Sequence, residues 1–131
     1  MSGLNVYWDD AAETIIRLDV ERDYTWDEFN AAVADVAAIV GPKGTRCDII
    51  VQLGRASAES HGIPAIQKAL TALADLPENV GLVVIVVGGL AGMLLNAAKR
   101  IDSRVAARAR TASSVDKARE LVARDRYERE R

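Results

Sequence analysis

The stretch VGLVVIVVGGLAGMLLNAAKR, Val80 to Arg100, decides the fold. It is the most apolar run in the chain and carries two adjacent glycines, Gly88 and Gly89. Read as one helix it would place the protein in a membrane. Read as strand, turn and helix it makes an α/β domain. A spanning helix needs about 20 consecutive apolar residues, and the run from Val80 meets Asn96 before reaching that length. VGLVVIVV is valine-rich and has the length of a buried strand. Gly88-Gly89 suits a sharp turn, after which Leu90, Met93, Leu94 and Ala97 share a helical face. Pro77-Glu78-Asn79 reads as a turn, and no Trp or Tyr stands beside the run as an interfacial anchor. The expectation is strand–turn–helix with no transmembrane segment.

Working outward, LNVYW (Leu4–Trp8) and TIIRLDV (Thr14–Val20) are two short runs around a polar turn, which predicts a β-hairpin. In the second run Ile16, Leu18 and Val20 face one way and Ile15, Arg17 and Asp19 the other. A helix follows, with Thr25 and Glu28 spaced as a capping box. Phe29, Val33, Val36, Ala37 and Val40 form its apolar stripe, and Gly41-Pro42 stops it. DIIVQL (Asp48–Leu53) is nearly continuous apolar sequence, as in a strand covered on both faces. GRASAESHGIP is a loop, and Pro64 fits the first turn of the next helix, which carries Ile66, Leu70 and Leu73 on one stripe. RVAARAR (Arg104–Arg110) reads as a short edge strand guarded by arginines. Thr111 to Ser114 caps a last helix with Val115, Ala118, Leu121 and Val122 on its apolar side. The predicted order is β-β-α-β-α-β-α-β-α. That order implies a mainly parallel five-stranded sheet, with one antiparallel strand from the hairpin.

Composition sets outer limits. The 131 residues are 50% hydrophobic, enough for one domain with a core. The net charge of −2 and 5% aromatic content argue against nucleic acid as a partner. One cysteine, Cys47, rules out a disulfide within the chain, and MSGLNVYWDD does not read as a secretory signal, so the expected location is cytoplasmic. From Lys99 onward eleven basic residues face six acidic ones, while the preceding part has six basic and thirteen acidic. The plain reading of RELVARDRYERER is a solvated helix laced by pairs four residues apart.

Signals for chemistry are sparse. There is no P-loop and no GxGxxG, one His and one Cys are too few for a metal site, and neither a cofactor nor a metal is expected. Cys47 reads as a small buried apolar residue. The informative segment is GRASAESHGIP, at the carboxyl end of a central strand, where open α/β sheets place their sites. Ser57, Ser60 and His61 stand there before a helix N-terminus, where negative charge is stabilised. Helix capping by Ser60 or a neighbour is the simplest use of these hydroxyls.

The hairpin, the TWDEF helix start, the strand–loop–helix around ESHGI and the closing TASSVDKAREL unit together resemble the STAS domain, the anti-sigma-factor antagonist fold. They are closer still to its uncharacterised bacterial relatives grouped with CRAL-TRIO-type lipid carriers. The resemblance covers residues 4–126 as a single domain, with 127–131 as a charged tail. In that family a serine after an aspartate is phosphorylated by an anti-sigma kinase. Glu59-Ser60-His61-Gly62-Ile63 has a similar pattern, with Ser60 at the modified position. Glu replaces the aspartate, His61 replaces a second serine, and the strand's usual terminal aspartate is Gln52. The resemblance implies a non-enzymatic regulatory protein-interaction module, switched at Ser60 within a loop of Ser57, Glu59, Ser60, His61 and Gly62. Its partner would be a protein, a kinase or an anti-sigma-like regulator, and a homodimer is left open. Two alternatives carry different residues. A carrier of an apolar or lipid ligand would use a pocket at Met93 and Leu94, and a small hydrolase would use Ser60 with His61.

Overall fold

The computed structural model describes residues 4–20, 25–52, 76–86 and 108–130. The predicted hairpin forms from β1 (Leu4–Trp8) and β2 (Ile15–Val20), paired antiparallel with Leu4 opposite Val20 and Trp8 opposite Ile16. Its connection is organised by Asp10, whose carboxylate accepts from the backbone N–H groups of Thr14 (2.8 Å) and Ile15 (2.9 Å) and from the Thr14 hydroxyl.

Helix α1 (Trp26–Val40) starts where the capping box predicted. Glu28 N–H donates to Thr25 Oγ1, and the Glu28 carboxylate accepts from Thr25 N–H, both at 3.1 Å. Phe29, Val33, Val36 and Val40 are buried and Ala37 packs beside them. The chain does not turn away at Gly41-Pro42. It tightens into a 3₁₀ turn (Gly41–Lys43), and the reversal falls on Gly44, whose φ of 67° is the left-handed conformation that a side chain disfavours. Pro42, the second residue of that turn, fits there because no N–H donor is needed in the first positions.

Strands β3 (Cys47–Gln52), β4 (Val80–Val86) and β5 (Ala109–Ala112) complete a five-stranded sheet in the order β1-β2-β3-β4-β5. Every pair after the hairpin is parallel. The chain is therefore an α/β protein with a mixed sheet, and Val80–Val86, the front of the decisive stretch, is a buried strand. No helix among the described residues is long and apolar enough to cross a membrane. The turn at Gly88-Gly89 and the helices expected after β3 and β4 lie outside the described residues.

The last strand differs from expectation. Among the described residues it occupies Ala109–Ala112, so Thr111 and Ala112 belong to it and not to the cap, while positions 104–107 of the expected run lie outside the described residues. Ala109 lies opposite Val83 and is buried on the core face. Among the described residues β5 stands at the end of the sheet order. Ser114 then caps α2 (Val115–Glu130), accepting from Lys117 N–H at 3.2 Å.

The sheet is covered on both faces. Ile16, Leu18, Ile49, Val51, Val83 and Ile85 pack with the α1 stripe in the larger core. Ile15, Ile50, Leu82, Val84 and Val86 pack with Ala118 and Val122 of α2 in the smaller one. Phe29, 1% exposed, is the largest fully buried side chain among the described residues. Phe29→Ala is expected to cost about 3–5 kcal/mol, read as a lowered midpoint in urea unfolding with an unchanged slope.

Candidate functional site

The face under α2 is not uniformly apolar. Strand register brings Tyr7, Arg17, Ile50, Val84 and Arg110 into one row across the sheet. The β1–β2 side of that row is polar and the middle is aliphatic. Two ionic clusters result, one over the hairpin and one at the amino end of β3.

The first cluster is centred on Arg17. Its guanidinium makes a two-pronged contact with Asp19 (Nε–Oδ1 3.0 Å, Nη2–Oδ2 3.0 Å), reaches Asp9 at 3.1 Å, and donates to Gln52 Oε1 at 2.8 Å. Tyr7 donates its hydroxyl to Asp19, and its ring lies beneath the Arg17 guanidinium, 5.4 Å from charge to centroid. That hydrogen bond raises the Tyr7 pKa above its ordinary value, so the phenol keeps its proton. Arg119, from α2, clamps Asp9 with two bonds of 2.8 and 2.9 Å. The Arg119 contact, helped by Arg17 against the opposing effect of burial, holds the Asp9 carboxyl below the usual range.

The second cluster surrounds Asp48, whose side chain is 0% exposed. The sheet prepares its place. Pairing of β3 with β4 slips between Cys47 and Ile49, so that Gly81 and Leu82 together oppose Asp48. Such a bulge leaves an N–H outside the ladder, and the Leu82 N–H donates to Asp48 Oδ1 at 2.7 Å. Arg46 approaches the same oxygen at 2.8 Å, and Arg126 of α2 donates to Oδ2 at 2.8 Å through Nε. Arg126 also bonds the Thr14 carbonyl at 2.9 Å, and Arg46 bonds Asp125 of α2 at 2.7 Å. Burial works against ionisation of Asp125, but Arg46 and Arg129 outweigh it and lower its pKa. Gly81 is required by closeness, not by φ: a Cβ there would collide with the Arg46 guanidinium and the Asp48 carboxylate.

These pairs alter the reading of the last helix. Arg129–Asp125 (2.8 Å) is an expected pair four residues apart, and Arg119–Asp116 (2.9 Å) adds one three residues apart. Arg119, Arg126 and Asp125 also bind the body of the domain, so the helix is fastened and not merely solvated. Sequence reasoning missed Asp9, Asp48, Gly81, Arg119 and Arg126. The one available signal was an acid opening an otherwise apolar strand, which has to be paired if it is buried.

Chemically, the arrangement favours charge neutralisation. Carboxylates held low by arginines remain anions near neutral pH and are poorly suited to carry protons. Cys47 is buried and burial raises its thiol pKa, as the reading of a small core residue expects. No group of three potential metal ligands occurs among the described residues. Ser57, Glu59, Ser60, His61 and Gly62 lie outside the described residues, as do Met93 and Leu94. The structure does describe the strand leading to the first group: β3 is the middle strand, ends at Gln52, and has that residue fixed by Arg17. No protein-family model matches the chain, and neither does any curated protein or solved structure.

Two outcomes are expected. Asp48→Asn leaves two arginines facing a neutral amide in a buried place and should cost about 3–5 kcal/mol, measured by urea unfolding at pH 7; Gly81→Ala should weaken the same cluster. The pKa values of Asp9 and Asp125 are lowered on folding, so their contribution is complete above the unfolded value of about 3.9. It is lost as pH falls through the lower folded values. Unfolding free energy should be flat from pH 7 to about 5 and fall below about 4, with a shallower fall in Arg119→Gln.

Proposed function

We propose that the chain is a non-enzymatic regulatory module that binds a protein partner through the loop of Ser57, Glu59, Ser60, His61 and Gly62, with Ser60 as a phosphorylation switch. One observation supports this reading: the strand running into that loop is the central strand of the sheet, parallel to its neighbours and pinned at Gln52 by Arg17. A segment leaving the carboxyl end of a central parallel strand stands where α/β sheets present binding groups. The resemblance to anti-sigma-factor antagonist domains supplies the kind of partner, a kinase or anti-sigma-like regulator in the cytoplasm. The arginine-bound carboxylates support a structural use of the charged residues over an acid–base one.

In this mechanism a phosphate on Ser60 adds roughly −1.5 to −2 charge at neutral pH. Glu59 is adjacent in sequence, so the modified loop repels an acidic partner surface that the unmodified loop accepts.

The test uses the full chain as wild type, Ser60→Asp and Ser60→Ala. Each is immobilised and exposed to soluble extract of the source cells, and retained proteins are quantified. A partner kept by wild type and Ser60→Ala and lost by Ser60→Asp, with equal melting temperatures, is the expected result. Equal retention by all three removes Ser60 as the switch.

A further inference from the structure

The two helices are held in different ways. Helix α1 buries Phe29, Ala32, Val33, Val36 and Val40. Helix α2 is of similar length but buries only Ala118 and Val122, with Val115 and Leu121 partly covered. Ala118 is a small side chain, so the apolar surface that α2 itself brings to the contact is modest. What α2 has instead is arginine. Arg119 and Arg126 are seven residues apart, two helical turns, and therefore project from one side. Arg119 takes Asp9 at the end of β1 and Arg126 takes Asp48 at the start of β3. Asp125 accepts from Arg46 between β3 and the 3₁₀ turn. The outer side, with Lys117, Glu120, Ala123, Arg124, Tyr127 and Glu128, is exposed.

We propose that α2 is an ion-fastened strap that lifts from the sheet without unfolding it and uncovers the aliphatic strip Ile15, Ile50, Leu82, Val84 and Val86. The strip is bordered by Asp9 and Asp48, the two seats that the helix's arginines occupy when closed. Lifting separates Arg119 from Asp9, Arg126 from Asp48 and Asp125 from Arg46. The separated groups regain water, and Asp48 keeps Arg46 and the Leu82 N–H. The sheet is not disturbed, because its other face stays closed by α1 and its ladders do not involve α2. Ion pairs that are partly exposed respond to salt, whereas an apolar contact such as that of α1 is not weakened by it. The inference is independent of Ser60.

Amide hydrogen exchange of the full chain tests it, followed by mass spectrometry at 0.05 M and 1 M sodium chloride. Peptides from α2 should exchange faster than those from β3, β4 and α1. Their protection should fall about tenfold at high salt, the combined size of two or three partly exposed pairs. Protection in β3, β4 and α1 should hold. The Arg119→Gln, Arg126→Gln double variant should show the fast exchange of α2 already at low salt. Exchange of α2 in step with β3 and β4 at both salt concentrations overturns the strap. If the double variant does not fold, the salt series on the unaltered chain decides alone.

Discussion

A carboxylate without access to water fixes the geometry of this domain. Asp48 sits at the start of the central strand, 0% exposed, and has no solvent to share its charge. Burying such a group unpaired is costly, and breaking one of its pairs leaves much of that cost standing. Its partners therefore have to arrive together. They come from distant parts of the chain: Arg46 just before the strand, the Leu82 N–H freed by the bulge in β4, and Arg126 from the last helix. Each is a separate structural commitment. The bulge requires the β3–β4 slip, the approach of Arg46 requires Gly81, and the reach of Arg126 sets how far along the sheet α2 must lie. A hydrophobic contact could be met in several registers; this one accepts one.

The same constraint divides the two faces. Over α1, packing is continuous and apolar, from Ile16 to Ile85. Over α2 the aliphatic strip is narrower, and its borders are ionic. Directional bonds specify where a helix lies better than they hold it there, because the cost of taking the charges out of water offsets much of their attraction. One face thus supplies most of the adhesion and the other most of the orientation. A chain with a surplus of base after residue 99 and a surplus of acid before it acquires, in folding, charge complementarity between its last helix and the rest of itself.

Local rules were legible in the sequence because their causes are local. The alternation of Ile16, Leu18 and Val20 against Ile15, Arg17 and Asp19 matches the two faces of β2, and Thr25 with Glu28 makes the expected capping box. The valine run at Val80 was legible as a strand through its length and its residue types. What escaped depended on partners far away. The carboxyl bound of β5, at Ala112 and not Arg110, is set by pairing with Ile85 and Val86 in β4. Arg119 and Arg126 have acids nearby in the helix, so the sequence suggests local pairs; their strongest partners are 110 and 78 residues away. Gly81 passes for a weak position in a valine run until the Arg46–Asp48 pair is placed against it. The candidate loop was legible only by its place in the order of elements, and the structure adds to that the central position of the strand before it.

The central strand is held differently at its two ends, and this bears on what the chain beyond it can do. Its amino end is locked by a buried carboxylate within the domain. Its carboxyl end is held by a side-chain amide, Gln52, whose oxygen accepts from Arg17. Arg17 is shared: the same guanidinium grips Asp19 and Asp9, and Asp9 is also gripped by Arg119. Gln52, Arg17, Asp9 and Arg119 form an unbroken chain of hydrogen bonds from the exit of β3 to α2. Arg17 is 8% exposed, so it cannot replace a lost partner with water as cheaply as a surface arginine could. The exit of the central strand and the seat of the last helix are therefore two ends of one polar element laid across the sheet.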